Sequence, residues 1–483
     1  MIPVSDAYKE LVKSNIRPTC EPIIKVSGID NTGKEIELIW NAKNIKDLNY
    51  KRSIDPVGRE LPYMELTWTE IYTGKLNAES YPEKYNNITK YMQVELSFVQ
   101  DLGFYNTWKT LFGSGITWKD LFNGSVSWKQ LKNQVTKETI AMPKLFLSAK
   151  PTISGQTITW SARDLLYFLE DEKVKSFKIG SSSGDYRLLK NVLSYFLIDS
   201  RACFLNNRDM FDAISESVSD ILNCDDEFRL TNDIIFDGKT KDILKNLVSI
   251  ENKFLNFKDN KIYFESINNI DSNVIFNSNI MYEKPIIKQG TNISGYSFKS
   301  YNIIRDESAI YELSPVVANL KLEDGQTFEY YIFNFKGYGE VVSPEEYRDD
   351  SEIIFYIMPK FGKGTPTISV CPINYNAYDN FINNYKVGDI FNENNPLFVY
   401  DKDTETAKTR LAFLNNYFNE KSSTIEFTAL PNFSLEPSDI VTAETELYDE
   451  NQQKIFKKVL IVSSEISYNG SFKQKIICHE VEI

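Results

Sequence analysis

The stretch from Gln156 to Glu170, QTITWSARDLLYFLE, constrains this chain more than any other. Its period changes within a few residues. Ile158 and Trp160 alternate with Thr157 and Thr159, and β-branched and aromatic types dominate, which predicts a strand. Leu165, Leu166, Phe168 and Leu169 then follow at helical spacing. Ser161, with Asp164 three residues on, is the expected N-cap, a weaker form of the capping box. Strands and aromatics precede this stretch and helices follow it. The stretch therefore reads as a seam between a β domain and an α/β domain, with Trp160 buried at the junction.

Before the seam, short strands alternate with turns. Ser5 is the expected cap of a short helix carrying Tyr8, Leu11 and Val12. Glu21 to Trp40 reads as a hairpin turning at Asp30-Asn31-Thr32-Gly33. Residues 60–70, 92–99, 143–148 and 156–160 read as further strands. Strands without intervening helices argue for a small antiparallel barrel or sandwich. After the seam, residues 207–223 place Phe211, Ile214, Val218, Ile221 and Leu222 on one helical face, and residues 240–251 do the same with Ile243, Leu244, Leu247 and Val248. Residues 254–265 read as a hairpin. Strands return from Pro285, and residues 309–394 form an aromatic, acidic, β-rich module. An amphipathic helix spans 403–418, capped by Asp403, with Ala407, Leu411, Leu414 and Phe418 on its stripe. A closing hairpin turns at Tyr468-Asn469-Gly470-Ser471.

The fold class expected is α+β and multidomain: two antiparallel β-barrel-like domains with an α/β domain between them and an inserted β-rich module. The divisions are 1–165 for the first barrel, with an insertion at 104–131; 166–285 for the α/β domain; and 286–483 for the second barrel, with the module at about 309–394. A length of 483 residues suits roughly three domains of about 150 residues each.

Residues 104–131 hold a ten-residue repeat: NTWKTLFGSG, ITWKDLFNGS, VSWKQLKNQV. Trp108, Trp118 and Trp128 are in register, each followed by Lys and then by Leu111, Leu121 or Leu131. The repeat reads as turns with one aromatic anchor each, and the three Trp residues are the candidate interface. A row of Trp rings that stacks on sugars is the other reading.

The sequence offers little chemistry. The formal net charge is −13, which argues against tight binding to phosphate backbones. It also suits a surface over which DNA passes without sticking. Five dispersed cysteines without a CxxC pair argue against a disulfide framework and a zinc site. The lone histidine, His479, reads as structural, and its solitude excludes multi-histidine metal sites. FGKGT at Phe361 lacks phosphate-loop spacing, and Asp225-Asp226-Glu227 reads as a solvated acidic turn. No signal peptide or membrane span is visible. No catalytic, cofactor-binding or metal-ligating residue is singled out, and no cofactor is expected.

Four segments in order resemble the hub family of phage tail baseplates. They are Asn49 to Pro62, ITWSARDLLYFL, Asn395-Pro396 with the 403–418 helix, strand and LEPSDIVTAET, and the closing IVSSEISYNGSFKQKIICHEV. The TWKxL repeats also look like those of structural proteins from phages of Gram-positive bacteria. The resemblance spans most of 20–300 and 395–483, and residues 309–394 have no counterpart in it. It implies a virion tail-tip protein made in the host cytoplasm, non-enzymatic, forming a homotrimer whose two β domains per subunit make a pseudo-six-fold ring for DNA passage. Its implied partners are a tail tube or distal tail protein and a fibre, spike or tape-measure protein. Two other readings stand beside it: a tail adhesin for cell-wall carbohydrate, and a cell-wall glycosidase using a carboxylate pair.

Overall fold

The computed structural model describes residues 1–13, 19–71, 85, 87–102, 119, 137–169, 173–179, 188–201, 208–223, 234–249, 252–258, 261–267, 271–290, 293–306, 308–321, 327–334, 339–343, 355–359, 367–383, 389–399, 405–420 and 423–480. The chain opens with helix α1 (Asp6–Leu11), capped by Ser5, whose Oγ accepts the Tyr8 N–H at 3.2 Å. Then come β1 (Cys20–Ile29), β2 (Glu35–Asn41), β3 (Ile45–Ser53), β4 (Tyr63–Ile71), β5 (Gln93–Asp101), β6 (Lys137–Ala141), β7 (Leu145–Leu147), β8 (Thr152–Ser154) and β9 (Thr157–Arg163). The expected first hairpin is β1–β2, closed by the Ile29–Glu35 pair. Asp30 Oδ1 accepts the N–H groups of Thr32 and Lys34, both at 2.8 Å, and Gly33 sits at φ +85°, where a Cβ is resisted.

Alternate residues of β4 and β5 point inward: Met64, Leu66 and Trp68 on one, Val94, Leu96 and Phe98 on the other. Trp68 and Trp160 are cross-strand partners, stacked at 5.5 Å between ring centroids. Trp40, from β2, meets both rings edge-on at 5.5 and 4.8 Å, and Tyr85 meets Trp160 at 5.2 Å. The sheet therefore curls until β2 faces β4 and β9. Each buried ring contributes roughly 3 kcal/mol from area alone. Against that, the indole N–H groups of Trp68 and Trp160 find no acceptor among the described residues, which costs about 1–3 kcal/mol apiece.

Trp160 is fully buried at the seam, as its pattern predicts. The cap differs. Ser161 still pairs with Thr67 in the ladder, so its backbone stays extended and β9 runs on to Arg163. Asp164 caps the short helix α2 (Leu165–Phe168) instead, accepting the Tyr167 N–H at 3.0 Å and the Met64 N–H at 2.7 Å. Burial pushes its carboxyl up to about 6, partly offset by these backbone donors.

The middle of the chain holds β10 (Lys173–Ile179), α3 (Leu189–Arg201), α4 (Arg208–Leu222), β11 (Ile234–Lys239), α5 (Thr240–Val248), β12 (Phe254–Lys258) and β13 (Lys261–Glu265). The stripe of α5 is buried as predicted, at Ile243, Leu244, Leu247 and Val248. On α4, Met210, Ile214, Val218 and Ile221 are buried. Leu222, expected on that face, is exposed, because the next residue lies about 100° further round. The predicted hairpin is β12–β13.

The remainder comprises β14 (Asp271–Phe276), β15 (Ile286–Gln289), β16 (Ile293–Arg305), β17 (Tyr311–Leu313), β18 (Val316–Lys321), β19 (Thr327–Asn334), β20 (Gly339–Ser343), β21 (Phe355–Pro359), β22 (Ile368–Asn383), β23 (Asp389–Val399), α6 (Glu405–Glu420), β24 (Ser423–Ala429), β25 (Ile440–Tyr448), β26 (Lys454–Tyr468) and β27 (Phe472–Glu480). The β-rich character expected between 309 and 394 is present. A five-stranded sheet joins β16, β17, β20, β22 and β23, and a three-stranded sheet joins β18, β19 and β21. Asp403, Asp225 to Glu227 and Phe361 lie outside the described residues.

Among the described residues, the two expected barrels are corrected to one open 15-stranded sheet, with the main path β15-β24-β27-β26-β3-β4-β9-β7-β5-β1-β2. Its pairs are antiparallel except β14–β25. The joint is β26. One edge pairs with β25 as far as Leu460 and with β3 from Ser463 to Tyr468, while on the other edge the pairing with β27 shifts register between Ile461 and Ser463. A strand long enough to serve both halves removes the gap that would let each close on itself. Two principal buried clusters lie along the sheet. The larger runs from the Trp40–Trp68–Trp160 region through α3, α4, α5 and α6, and the smaller lies among β14, β24, β25, β26 and β27.

Candidate functional site

The candidate interface residues Trp108, Trp118 and Trp128 lie outside the described residues. Their point of attachment is described. β5 and β6 are antiparallel neighbours whose pairing ends at Asp101–Lys137. The chain between those residues leaves and re-enters the sheet at one place.

A second assembly of residues joins the two halves. Arg52 on β3 is buried, and its Nη2 donates to the Phe257 carbonyl at 2.7 Å and to Glu436 Oε1 at 3.0 Å. Those partners come from β12 and from the segment between β24 and β25. That segment is buried from Pro431 to Ser438 and also receives the N-terminus. Ile2 N–H donates to the Ser434 carbonyl, and Phe433 N–H donates to the Tyr8 hydroxyl, each at 2.8 Å. The turn after β3 is fixed similarly. Asp55 accepts the N–H groups of Val57, Arg59 and Glu60, and buried Arg410 on α6 donates to the Val57 carbonyl at 2.7 Å. Gly58, at φ +74°, admits no Cβ, which would stand 2.8 Å from the Lys253 carbonyl oxygen.

His479 fits the structural role assigned to it. The Tyr417 hydroxyl on α6 pairs with its Nδ1 at 2.7 Å, tying the helix to β27. Burial lowers the imidazole pKa and raises the Tyr417 phenol, so a neutral ring meets a neutral phenol, and the ring tautomer sets which of the two donates. A cavity of about 520 Å³ lies between α1, β14 and the buried segment. Val4, Val12 and Ile275 line it beside Lys9 and Lys13. Asp439, also in its lining, is taken up by the Glu436 N–H and the Met1 amino group. Among the described residues no three His, Cys, Asp or Glu side chains converge as metal ligands, and Cys20, Cys371 and Cys478 form no disulfide. No helix of the described residues is long and apolar enough to cross a membrane.

The ends of the main sheet path are open edges. β2 pairs only with β1 and β15 only with β24, among the described residues. Both edges present isoleucines to solvent, Ile39 at 55% exposure and Ile286 at 53%. Such edges are templates for another strand unless charge or cover blunts them.

No family model matches the chain, and no curated protein matches its sequence. Solved structures do resemble it. A 43 kDa tail protein of prophage MuSo2 from Shewanella oneidensis matches over 95% of this chain and 98% of its own, at 10% identity and TM-score 0.44. A tail protein from Neisseria meningitidis MC58 matches over 95% and 96%, at 7% identity and TM-score 0.42. The E. coli c3393 protein, a component of the type VI secretion system with structural similarity to T4 bacteriophage tail proteins gp27 and gp5, matches over 95% and 77%, at 7% identity and TM-score 0.36. The structural neighbours are tail and secretion-system proteins.

The sequence reading missed the strand that matters most to this architecture. Residues 45–53, where the sequence reading places no strand, are β3, which holds Arg52 and bridges to β26. Burial at Leu48, Tyr50 and Arg52 has the period-2 signal, hidden because one of its inward residues is a cation.

Proposed function

We propose that this chain is a structural subunit of a phage tail tip: a hub that forms a homotrimeric, pseudo-six-fold ring around a DNA passage and connects the tail tube to a baseplate, fibre or spike. In this reading each subunit supplies the two halves of one open β sheet, an α/β unit lies between them, the β-rich module is an insertion, and the Trp repeat is an interface anchor. The observation that carries the reading is the single open sheet shared through β26, with exposed strands at both ends of its path. In an isolated subunit both ends of the main sheet path are unpaired among the described residues, and a ring satisfies both. The order of the four hub-like segments and the net charge of −13, which lets DNA slide without sticking, agree with it. The role is mechanical, without catalysis. The test is light scattering with negative-stain imaging of the purified chain. A trimer with a central pore is expected, and a monomer at micromolar concentration overturns the reading.

A further inference from the structure

The two terminal edges of the main sheet path are complementary to each other. On β2, Glu35, Glu37 and Ile39 face outward while Ile36, Leu38 and Trp40 face inward. Around β15, Lys284, Ile286 and Lys288 face outward, while Pro285 and Ile287 are half-buried. One edge is acidic, the other basic, and each interleaves charge with isoleucine. We infer that β2 of one copy pairs antiparallel with β15 of the next, in the register that sets Glu37 opposite Lys288.

That register satisfies both faces at once. On the outer face it places Ile39 against Ile286 beside the Glu37–Lys288 pair. On the inner face it places Leu38 against Ile287 and continues the apolar lining. Moving the antiparallel register by two residues sets Ile39 against Lys284 and Ile286 against Glu37 in one direction, and Ile39 against Lys288 and Ile286 against Asn41 in the other. A parallel arrangement that keeps Ile39 against Ile286 brings Pro285, which has no N–H, into the ladder. In the antiparallel register the ladder stops just before Pro285. Glu37 already touches Lys25 at 2.8 Å and Lys288 touches Glu426 at 2.6 Å, but both side chains are more than half exposed. Such exposed pairs are weak and easily shared with a third charge, so the contact extends them into a network. The contact is head-to-tail, the kind that closes into a ring when the rotation allows.

This inference rests on the ring proposed above, and its test separates the two. Ile39→Cys and Ile286→Cys are introduced together in the full chain, oxidised, and run without reductant beside each single variant as control for the native cysteines. Covalent dimers and trimers in the double variant alone are expected. In parallel, Glu37→Lys should weaken association about tenfold or more, and adding Lys288→Glu should restore it. A trimer by light scattering that neither cross-links nor responds to the charge exchange overturns this register and leaves the ring standing. A monomeric wild-type chain overturns both.

Discussion

Trp160 shows how much one residue can reveal before a structure is seen. Its alternation with threonines put it on the inner face, and there it stacks on Trp68 with Trp40 and Tyr85 against its edges. Trp160→Ala empties the centre of that cluster, and the loss expected is about 3–5 kcal/mol by chemical denaturation. A loss below about 1 kcal/mol would mean that the neighbours collapse into the space and that the seam is not anchored there. His479 gives the second residue-scale prediction. Its folded pKa lies below the ordinary value because burial disfavours the cation. The unfolded chain therefore binds the proton more readily, so the contribution is complete above about pH 6.5 and is lost as pH falls through the folded value. Stability should decline on acidification from neutrality, and His479→Gln should flatten that part of the profile. An unchanged slope in the variant assigns the decline to carboxylates instead.

At the scale of elements, what the sequence disclosed depends on how local the cause is. Hairpins were legible because their turns carry their own chemistry: Asp30 gathers two N–H groups beside Gly33, and Asn469-Gly470 closes β26 onto β27. Helix stripes were legible because α5 buries its own period. β3 was not, since Asn49, Lys51 and Arg52 are poor strand formers, and its burial is imposed by β4 and β26. The strand-to-helix turn was misplaced by three residues, because ladder pairing held Ser161 extended beyond what its side chain would choose. The Trp repeat follows the same logic. The Asp101–Lys137 pair closes the sheet on either side of it, so deleting Phe104 to Leu131 shortens a connection without breaking a ladder among the described residues. The deleted chain should fold with near-native stability and circular dichroism while its assembly, followed by light scattering or incorporation into tail particles, weakens. An unfolded product would make the repeat part of the core, and normal assembly would remove its role as an anchor.

At the scale of the whole molecule, the deciding contacts are remote in sequence. Ser463 pairs with Ser53, and Arg52 reaches Glu436 across 384 residues, so no local pattern could announce either. Both halves of the sheet meet at β26, and beside that joint Arg52 ties β3 to β12 and to the buried segment before β25. Its Nη1 has no acceptor among the described residues, so the site pays for burying a cation and depends on Glu436 and the Phe257 carbonyl for compensation. Arg52→Ala would leave the Glu436 carboxylate, itself only 4% exposed, with its Oε1 stripped of a partner. The expected cost is about 3–5 kcal/mol. Its form is more telling than its size. With the joint intact the two buried clusters should unfold together in calorimetry. Without Arg52 the β14, β24, β25, β26 and β27 cluster should melt apart from the larger one, giving two transitions. Replacing both charges, as Arg52→Met with Glu436→Leu, should recover much of the stability, because apolar side chains of similar volume avoid the desolvation that the ion pair only partly offsets. If Arg52→Ala costs under about 1 kcal/mol and the melting profile keeps its wild-type shape, then the coupling resides in the β3–β26 ladder alone.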